Sequence, residues 1–385
     1  DTAATSPKGP LSGAKSYLSA LGTPNYGYFA GGEPRLSTVD RIDFANDTAT
    51  ASPKGALNLG RHEMASTGNA HFGYFGGGMN PNPSQKSTVD RINFANDTET
   101  AVTVGPLTRT ARSFTAVSAQ ENGLSTLTTT SSFIPRIRWV DSAAEGTPIT
   151  QGPAHGYFAG GAYPSVSSEK STVDRIDYAN DTAIASPKGN LANDTKRNDA
   201  VMNSTHGYVT GSMGSHQSRV HRIEYANDTA TASTKGPLSA NTSYMMDVTN
   251  INFGYVIGGG GPAGNKSKID RIDFSNDTAT ASNIASLPSN RWSGTGIGNK
   301  NFGYICGGKT PSIISSVDRI DYSSDTTAVV SKGPLTGIRR YNTATSNGSF
   351  GYVVGGGPSG SSDTSVDRID FSNDSSTASP KGPLT

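Results

Sequence analysis

Apolar and polar positions along this chain alternate in short runs of five to seven residues, each bounded by Gly, Pro, Asn or Asp. Apolar residues nowhere recur at helical spacing. The first group of runs predicts four strands, at about 16–21, 26–30, 38–44 and 48–52, filled with β-branched and aromatic residues. Two phrases from this group return in the same order down the whole chain. One is Tyr26-Gly27-Tyr28-Phe29-Ala30-Gly31-Gly32, and its Gly-Tyr pair recurs at Tyr74, Tyr157, Tyr208, Tyr255, Tyr304 and Tyr352. The other is Val39-Asp40-Arg41-Ile42-Asp43-Phe44 followed by Asn46-Asp47-Thr48, and its Arg-Ile pair recurs at Arg91, Arg175, Arg222, Arg271, Arg319 and Arg368. Apart from one long interval the period is roughly 46 to 51 residues. A unit of that length cannot bury its apolar faces alone, so the copies must pack on one another. The expected fold class is all-β: a single closed β-propeller of four-stranded blades, with residues 1–385 as one domain.

Local chemistry agrees with that reading. Gly31 and Gly32 permit a sharp exit from the second strand where the blades crowd a central channel. Ala45-Asn46-Asp47-Thr48 is turn chemistry for a hairpin between the third and fourth strands. Pro53 belongs on an outer strand, where a missing N–H costs little. The long interval separates Tyr74 from Tyr157 and contains residues 120–154, with strand-like runs at 126–132 and 134–140. Seven blades with a hairpin inserted at 120–154 in the third is the preferred reading, and eight blades with a degenerate copy there is the alternative. The chain opens with a fourth-strand phrase, Asp1 to Leu11, and carries another from Ser375 to Leu384. One copy closing the last blade from the N-terminal side would remove the exposed edges of the ring. The other copy would then lie outside the ring, pair with another chain or be disordered.

The double glycine after the second strand and the alternating third strand resemble the kelch-repeat β-propeller family over nearly the whole chain. One departure is clear. Kelch blades carry a tryptophan on the fourth strand, where this chain reads Thr-Ala-Thr-Ala-Ser, and Trp139 and Trp292 do not fill that role. The near-verbatim return of Asn-Asp-Thr-Ala-Thr-Ala-Ser-Pro-Lys-Gly-Pro-Leu also resembles repeat proteins encoded by marine tailed phages, cyanophages especially. That resemblance implies a virion appendage, a tail fibre or receptor-binding module at the virion surface, contacting host-cell glycan or protein or neighbouring virion proteins. The alternative is a secreted or cell-surface carbohydrate-active or lectin-like propeller. What flanks the chain in its gene would separate the two.

Composition narrows the choice. Lys and Arg total 32 against 31 Asp and Glu, so no charge excess points to nucleic acid or an anionic membrane surface. No apolar run approaches the length of a transmembrane helix. Cys306 is the single cysteine, which excludes an intramolecular disulfide and a cysteine-based zinc site. The chain starts at Asp1 without a signal-peptide pattern and reads as a processed or excised piece. The six histidines show no metal-ligand spacing, and no nucleophile elbow, phosphate loop or paired-acid motif occurs. Galactose oxidase, an enzyme of the kelch family, needs copper and a cysteine–tyrosine crosslink, whereas Cys306 occupies an ordinary second-strand slot. No enzymatic activity, metal or other cofactor is expected.

Three groups of residues remain as candidates. Asp40 and Arg41 are adjacent on a strand and face opposite ways. Seven-fold recurrence predicts that Arg41, Arg91, Arg175, Arg222, Arg271, Arg319 and Arg368 meet an acid at the seam with the next blade, with Asp40-type carboxylates as structural inter-blade residues. In one copy His221 and Glu224 replace the two acids, which implies local repacking. Asn46, Asn96, Asn180, Asn227, Asn276 and Asn373 fit the N-glycosylation pattern, although turn chemistry explains the same letters. The loops between second and third strands vary in length and letters, while the Asn-Asp-Thr turns stay constant. A constant frame with varied loops on one face is how rigid folds carry binding sites. Arg35, Tyr163 and His216 in those loops are the candidate ligand contacts.

Overall fold

The computed structural model describes residues 6–69, 71–80, 85–118, 155–162, 168–212, 217–261, 264–326, 328–358 and 363–374. Seven four-stranded antiparallel sheets form a closed β-propeller. Blade 1 consists of strands a to d at Ser19–Gly22, Tyr26–Ala30, Val39–Asp43 and Ser52–Lys54. Blade 7 takes strands a to c from Thr343–Ser346, Phe350–Val354 and Val366–Asp370, and its d strand from Ser6–Pro7 at the other end of the chain. The expected N-terminal closure is therefore present. The preferred count of seven holds, and the eight-blade alternative does not. Residues 119–154 join strand a of blade 3, Thr115–Ser118, to its strand b, His155–Ala159. The hairpin expected at 120–154 lies outside the described residues.

Two boundaries differ from the sequence reading, the first being strand a of blade 1, which begins at Ser19 and not at about 16, since Tyr17 before it has a left-handed backbone. Strand d of blade 1 runs over Ser52–Lys54, not 48–52. Asp47 is drawn into the seam with blade 7, and the Ala51 amide donates to the Pro10 carbonyl at 2.7 Å, so the chain pairs with strand c only from Ser52 onward.

The repeated letters are the material of the seams between blades. In every blade the strand-b Tyr pairs across from the strand-c Arg, as Tyr28 does with Arg41 and Tyr352 with Arg368. Both side chains reach one carboxylate on the next blade, the Asp of the turn after strand c, which lies in Asn-Asp-Thr in five blades, in Asn-Asp-Ser at Asp374 and in Ser-Asp-Thr at Asp325. Tyr28 Oη and Arg41 Nη1 donate to Asp97 Oδ2 at 2.8 and 2.7 Å. The same pair of bonds runs from Tyr74 and Arg91 to Asp181, and from Tyr157 and Arg175 to Asp228. It continues from Tyr208 and Arg222 to Asp277, and from Tyr255 and Arg271 to Asp325. Tyr304 and Arg319 bond Asp374, and Tyr352 and Arg368 bond Asp47, which completes the circle. Six of the Tyr rings also stack on the aromatic that follows strand c of the next blade, for example Tyr352 on Phe44 with centroids 4.6 Å apart, and Tyr28 lies tilted against Phe94 at 5.0 Å. In five blades a Tyr or Phe that begins strand b lies under the Arg, as Tyr26 lies 4.1 Å below Arg41; blades 3 and 4 have His155 and His206 at that place.

Asp40 has a different place from the one expected. It is fully buried and bound by Lys15 Nζ at 2.9 Å and by the Ser12 amide at 3.2 Å, not by a strand-c Arg. Alternation along the strand turns it away from Arg41, so it meets the loop entering strand a. Arg61–Asp90 and Arg339–Asp367 repeat this pairing at 2.6 and 2.7 Å, and Arg291 binds Asp318 in the same way. His221, in the equivalent position of blade 4, is buried, and burial beside Arg219 pushes its pKa down to about 4, so it is neutral. Tyr255→Phe keeps the stack on Tyr322 and removes the hydroxyl, which donates to Asp325 at 2.8 Å and accepts a long bond from Asn250 Nδ2 at 3.4 Å. It should cost about 1 kcal/mol, read as a lower urea midpoint with an unchanged slope.

Candidate functional site

The b–c loops and d–a loops share one face of the ring and are tied to each other there. Backbone amides of Glu33, Met79, Gly260 and Lys309 donate to carbonyls of Ser16, His62, Ser243 and Trp292 at 2.7 to 2.9 Å. Just inside these ties, the residue leading into each strand a has a left-handed backbone, with φ between 48° and 56° at Tyr17, Glu63, Ser113, Arg197, Tyr244, Ser293 and Tyr341. Non-glycine residues adopt this conformation rarely, and only when their surroundings enforce it. Here the enforcement is a circuit. The amide of each of these residues donates to the carbonyl of its counterpart on the preceding blade, from Tyr17 to Tyr341 at 3.3 Å through to Tyr341 to Ser293 at 2.9 Å. All seven blades contribute to this circuit at the mouth of the central channel, and their side chains line a cavity of about 230 Å³.

The mouth has two chemically distinct arcs. Blades 5, 6, 7 and 1 present half-buried aromatics: Tyr244 meets Trp292 edge-on at 5.5 Å, Trp292 meets Tyr341 at 6.4 Å, and Tyr341 stacks on Tyr17 at 4.3 Å. Burial, together with the hydrogen bond to Tyr341, raises the Tyr17 pKa, so its phenol stays protonated. Blades 2 to 4 present polar groups. Ser113 Oγ donates to Glu63 Oε2 at 2.5 Å, and Arg112 lies 3.8 Å from the same carboxylate. Arg197 lies 4.6 Å over the Tyr244 ring, which joins the polar arc to the aromatic one. Such a mouth offers flat apolar faces beside hydrogen-bonding groups, held by backbone that does not have to reorganise on binding.

Arg35 sits on the rim beside the polar arc. Its Nε is 4.0 Å from Glu33, whose carboxylate also meets His62 Nδ1 at 3.2 Å. Burial holds the His62 pKa below the ordinary value despite Glu63 and Glu33. Tyr163 and His216 lie outside the described residues. The channel-mouth residues were not among the candidates read from sequence, although a signal was present. At one fixed place before strand a, a repeating frame carries Tyr, Glu, Ser, Arg, Tyr, Ser and Tyr in turn.

No protein-family model matches the chain, and no curated protein sequence does either. Among solved structures, one titled "Structure of YjhT" aligns over 85% of this chain and 99% of its own, with a TM-score of 0.58 and 11% sequence identity. What the two share is the seven-bladed propeller fold. Since 623 chains of solved structures match, that likeness selects no activity.

Proposed function

We propose that this chain is a non-enzymatic binding module that holds cell-surface glycan, or a protein surface, on the face carrying the b–c and d–a loops, with the channel mouth at its centre. The observation that carries the reading is the ring of seven left-handed, non-glycine residues, which spends backbone strain to hold three tyrosines and a set of polar groups around one opening, with Trp292 packed between Tyr244 and Tyr341 beside it. A glycan suits this arrangement because sugar rings lay their C–H faces on aromatics while their hydroxyls take hydrogen bonds. We place the module on a divergent kelch-like lineage, in a virion appendage of a marine tailed phage. It would therefore act extracellularly, at the virion surface, with host-cell surface material as its partner. The support for that setting is the near-verbatim Asn-Asp-Thr-Ala-Thr-Ala-Ser-Pro-Lys-Gly-Pro-Leu phrase.

The test is binding of purified protein to cyanobacterial surface polysaccharide. Trp292→Ala and Tyr244→Ala should each weaken binding about tenfold or more, with the fold retained by circular dichroism. Glu99→Ala, on the exposed c–d turn of the opposite face, should leave it unchanged. Loss of binding in the Glu99 variant alone would refute this placement of the site.

A further inference from the structure

The groove along strand c of blade 7 is filled by the N-terminal hexapeptide Ser6-Pro7-Lys8-Gly9-Pro10-Leu11. Ser6 faces Arg368 and Pro7 faces Asp367. The Lys8 amide donates to Val366 at 2.8 Å, its Nζ meets Asp47 at 3.1 Å, and the Gly9 amide donates to the Asp47 carbonyl at 2.8 Å. The Leu11 amide donates to Thr364 at 2.9 Å, and its side chain is buried between blades 7 and 1. The same hexapeptide occurs once more, as Ser379-Pro380-Lys381-Gly382-Pro383-Leu384.

Its position matches the rule that the other blades obey. In each of the other six, the residue facing the strand-c Arg lies eleven positions downstream of it, from Arg41 with Ser52 to Arg319 with Val330. Eleven positions after Arg368 is Ser379. The turn that would deliver it is already formed. Asp374 occupies the blade 6 seam as its counterparts do, bonded by Tyr304, Arg319 and Lys332. The position after the hexapeptide fits as well. Ser12 bonds Asp40, while Thr108 and Thr336 bond Asp174 and Asp367 through both amide and hydroxyl, and residue 385 is Thr.

We infer that this groove is a two-occupant peptide site: residues 379–384 of the same chain bind it in place of residues 6–11, so the ring has two alternative closures. One closure ties blade 1 to blade 7 through the chain's beginning, and the other completes blade 7 from its own strand c. Whichever copy is seated, its twin is free of the ring.

Hydrogen exchange on the full chain reads this directly. In the unaltered protein the amides of Lys8, Gly9 and Leu11 should exchange slowly and those of Lys381, Gly382 and Leu384 quickly. Lys8→Glu sets a carboxylate against Asp47 and should eject the N-terminal copy. Protection should then move to Lys381, Gly382 and Leu384, a gain of about tenfold or more in a monomer. Lys8→Glu combined with Lys381→Glu should protect neither copy. If Lys381, Gly382 and Leu384 stay unprotected in the single variant, or gain protection only in a dimer by light scattering, the inference is overturned.

Discussion

Replacing Asp277 with alanine should lower the stability of the propeller by about 3 kcal/mol, because three donors lose their common acceptor. Tyr208 Oη, Arg222 Nη1 and Lys235 Nζ reach this carboxylate at 3.0, 2.7 and 3.2 Å. The value sits at the low end for a broken buried pair because Arg222 is 23% exposed and keeps some of its hydration. The loss should depend on pH with a definite sign. Burial pushes the Asp277 pKa up, but the hydrogen bonds from Tyr208, Arg222 and Lys235 outweigh it and hold the carboxyl below its ordinary range. A carboxylate depressed in the folded state stabilises above its unfolded pKa, about 4, and loses that contribution as pH falls through the folded value. The gap between parent and variant in urea unfolding should therefore be full at pH 7 and shrink below about pH 4. A gap that stays constant down to acid pH would mean that the ion pair is not its source.

Gly55→Ala should cost a comparable amount, about 3 kcal/mol, by a different route. The Gly55 amide donates to the Asp97 carbonyl at 2.8 Å, which brings strand d of blade 1 against the turn of blade 2. A Cβ on Gly55 would overlap the carbonyl oxygen of Glu99, and backbone there cannot step aside as a side chain can. The same overlap awaits a Cβ on Gly9, Gly105, Gly189 and Gly236. A methyl at this point must push two blades apart, so a lower midpoint should accompany lost protection at the Gly55 and Ala101 amides. Unchanged stability would show that the seam is looser than its geometry implies.

Much of this architecture is legible in the letters, and the part that is not has a physical reason. Period and strand patterning carry the seven blades, and the duplicated fourth-strand phrase carries the closure, because both follow from local chemistry repeated along the chain. The recurrence of Arg41 and its counterparts implies an acidic partner at the seam. Which acid it is depends on how one blade leans on the next, and no local pattern contains that. Asp47 reads as a turn residue beside Asn46, yet it is the acceptor for Tyr352, Arg368 and Lys8. A clue does exist at Tyr322-Ser323-Ser324-Asp325, where the Asn is gone and the Asp stays. The d-strand Gly is similarly silent, since its need for a bare Cα arises only from the neighbouring blade. The left-handed positions at the mouth escape sequence reading because Tyr, Glu and Arg carry no turn signal of their own.

The hydrogen-bond circuit through Tyr17, Glu63, Ser113, Arg197, Tyr244, Ser293 and Tyr341 separates the shape of the opening from its chemistry. Each position is fixed by main-chain atoms, so the diameter of the opening does not depend on which side chain stands there. The seven places act like settings in a bezel, each able to take a new stone without loosening the others. A chain built by copying one blade would start with seven identical settings, and substitution at one codon in each is enough to turn that uniform rim into an asymmetric one.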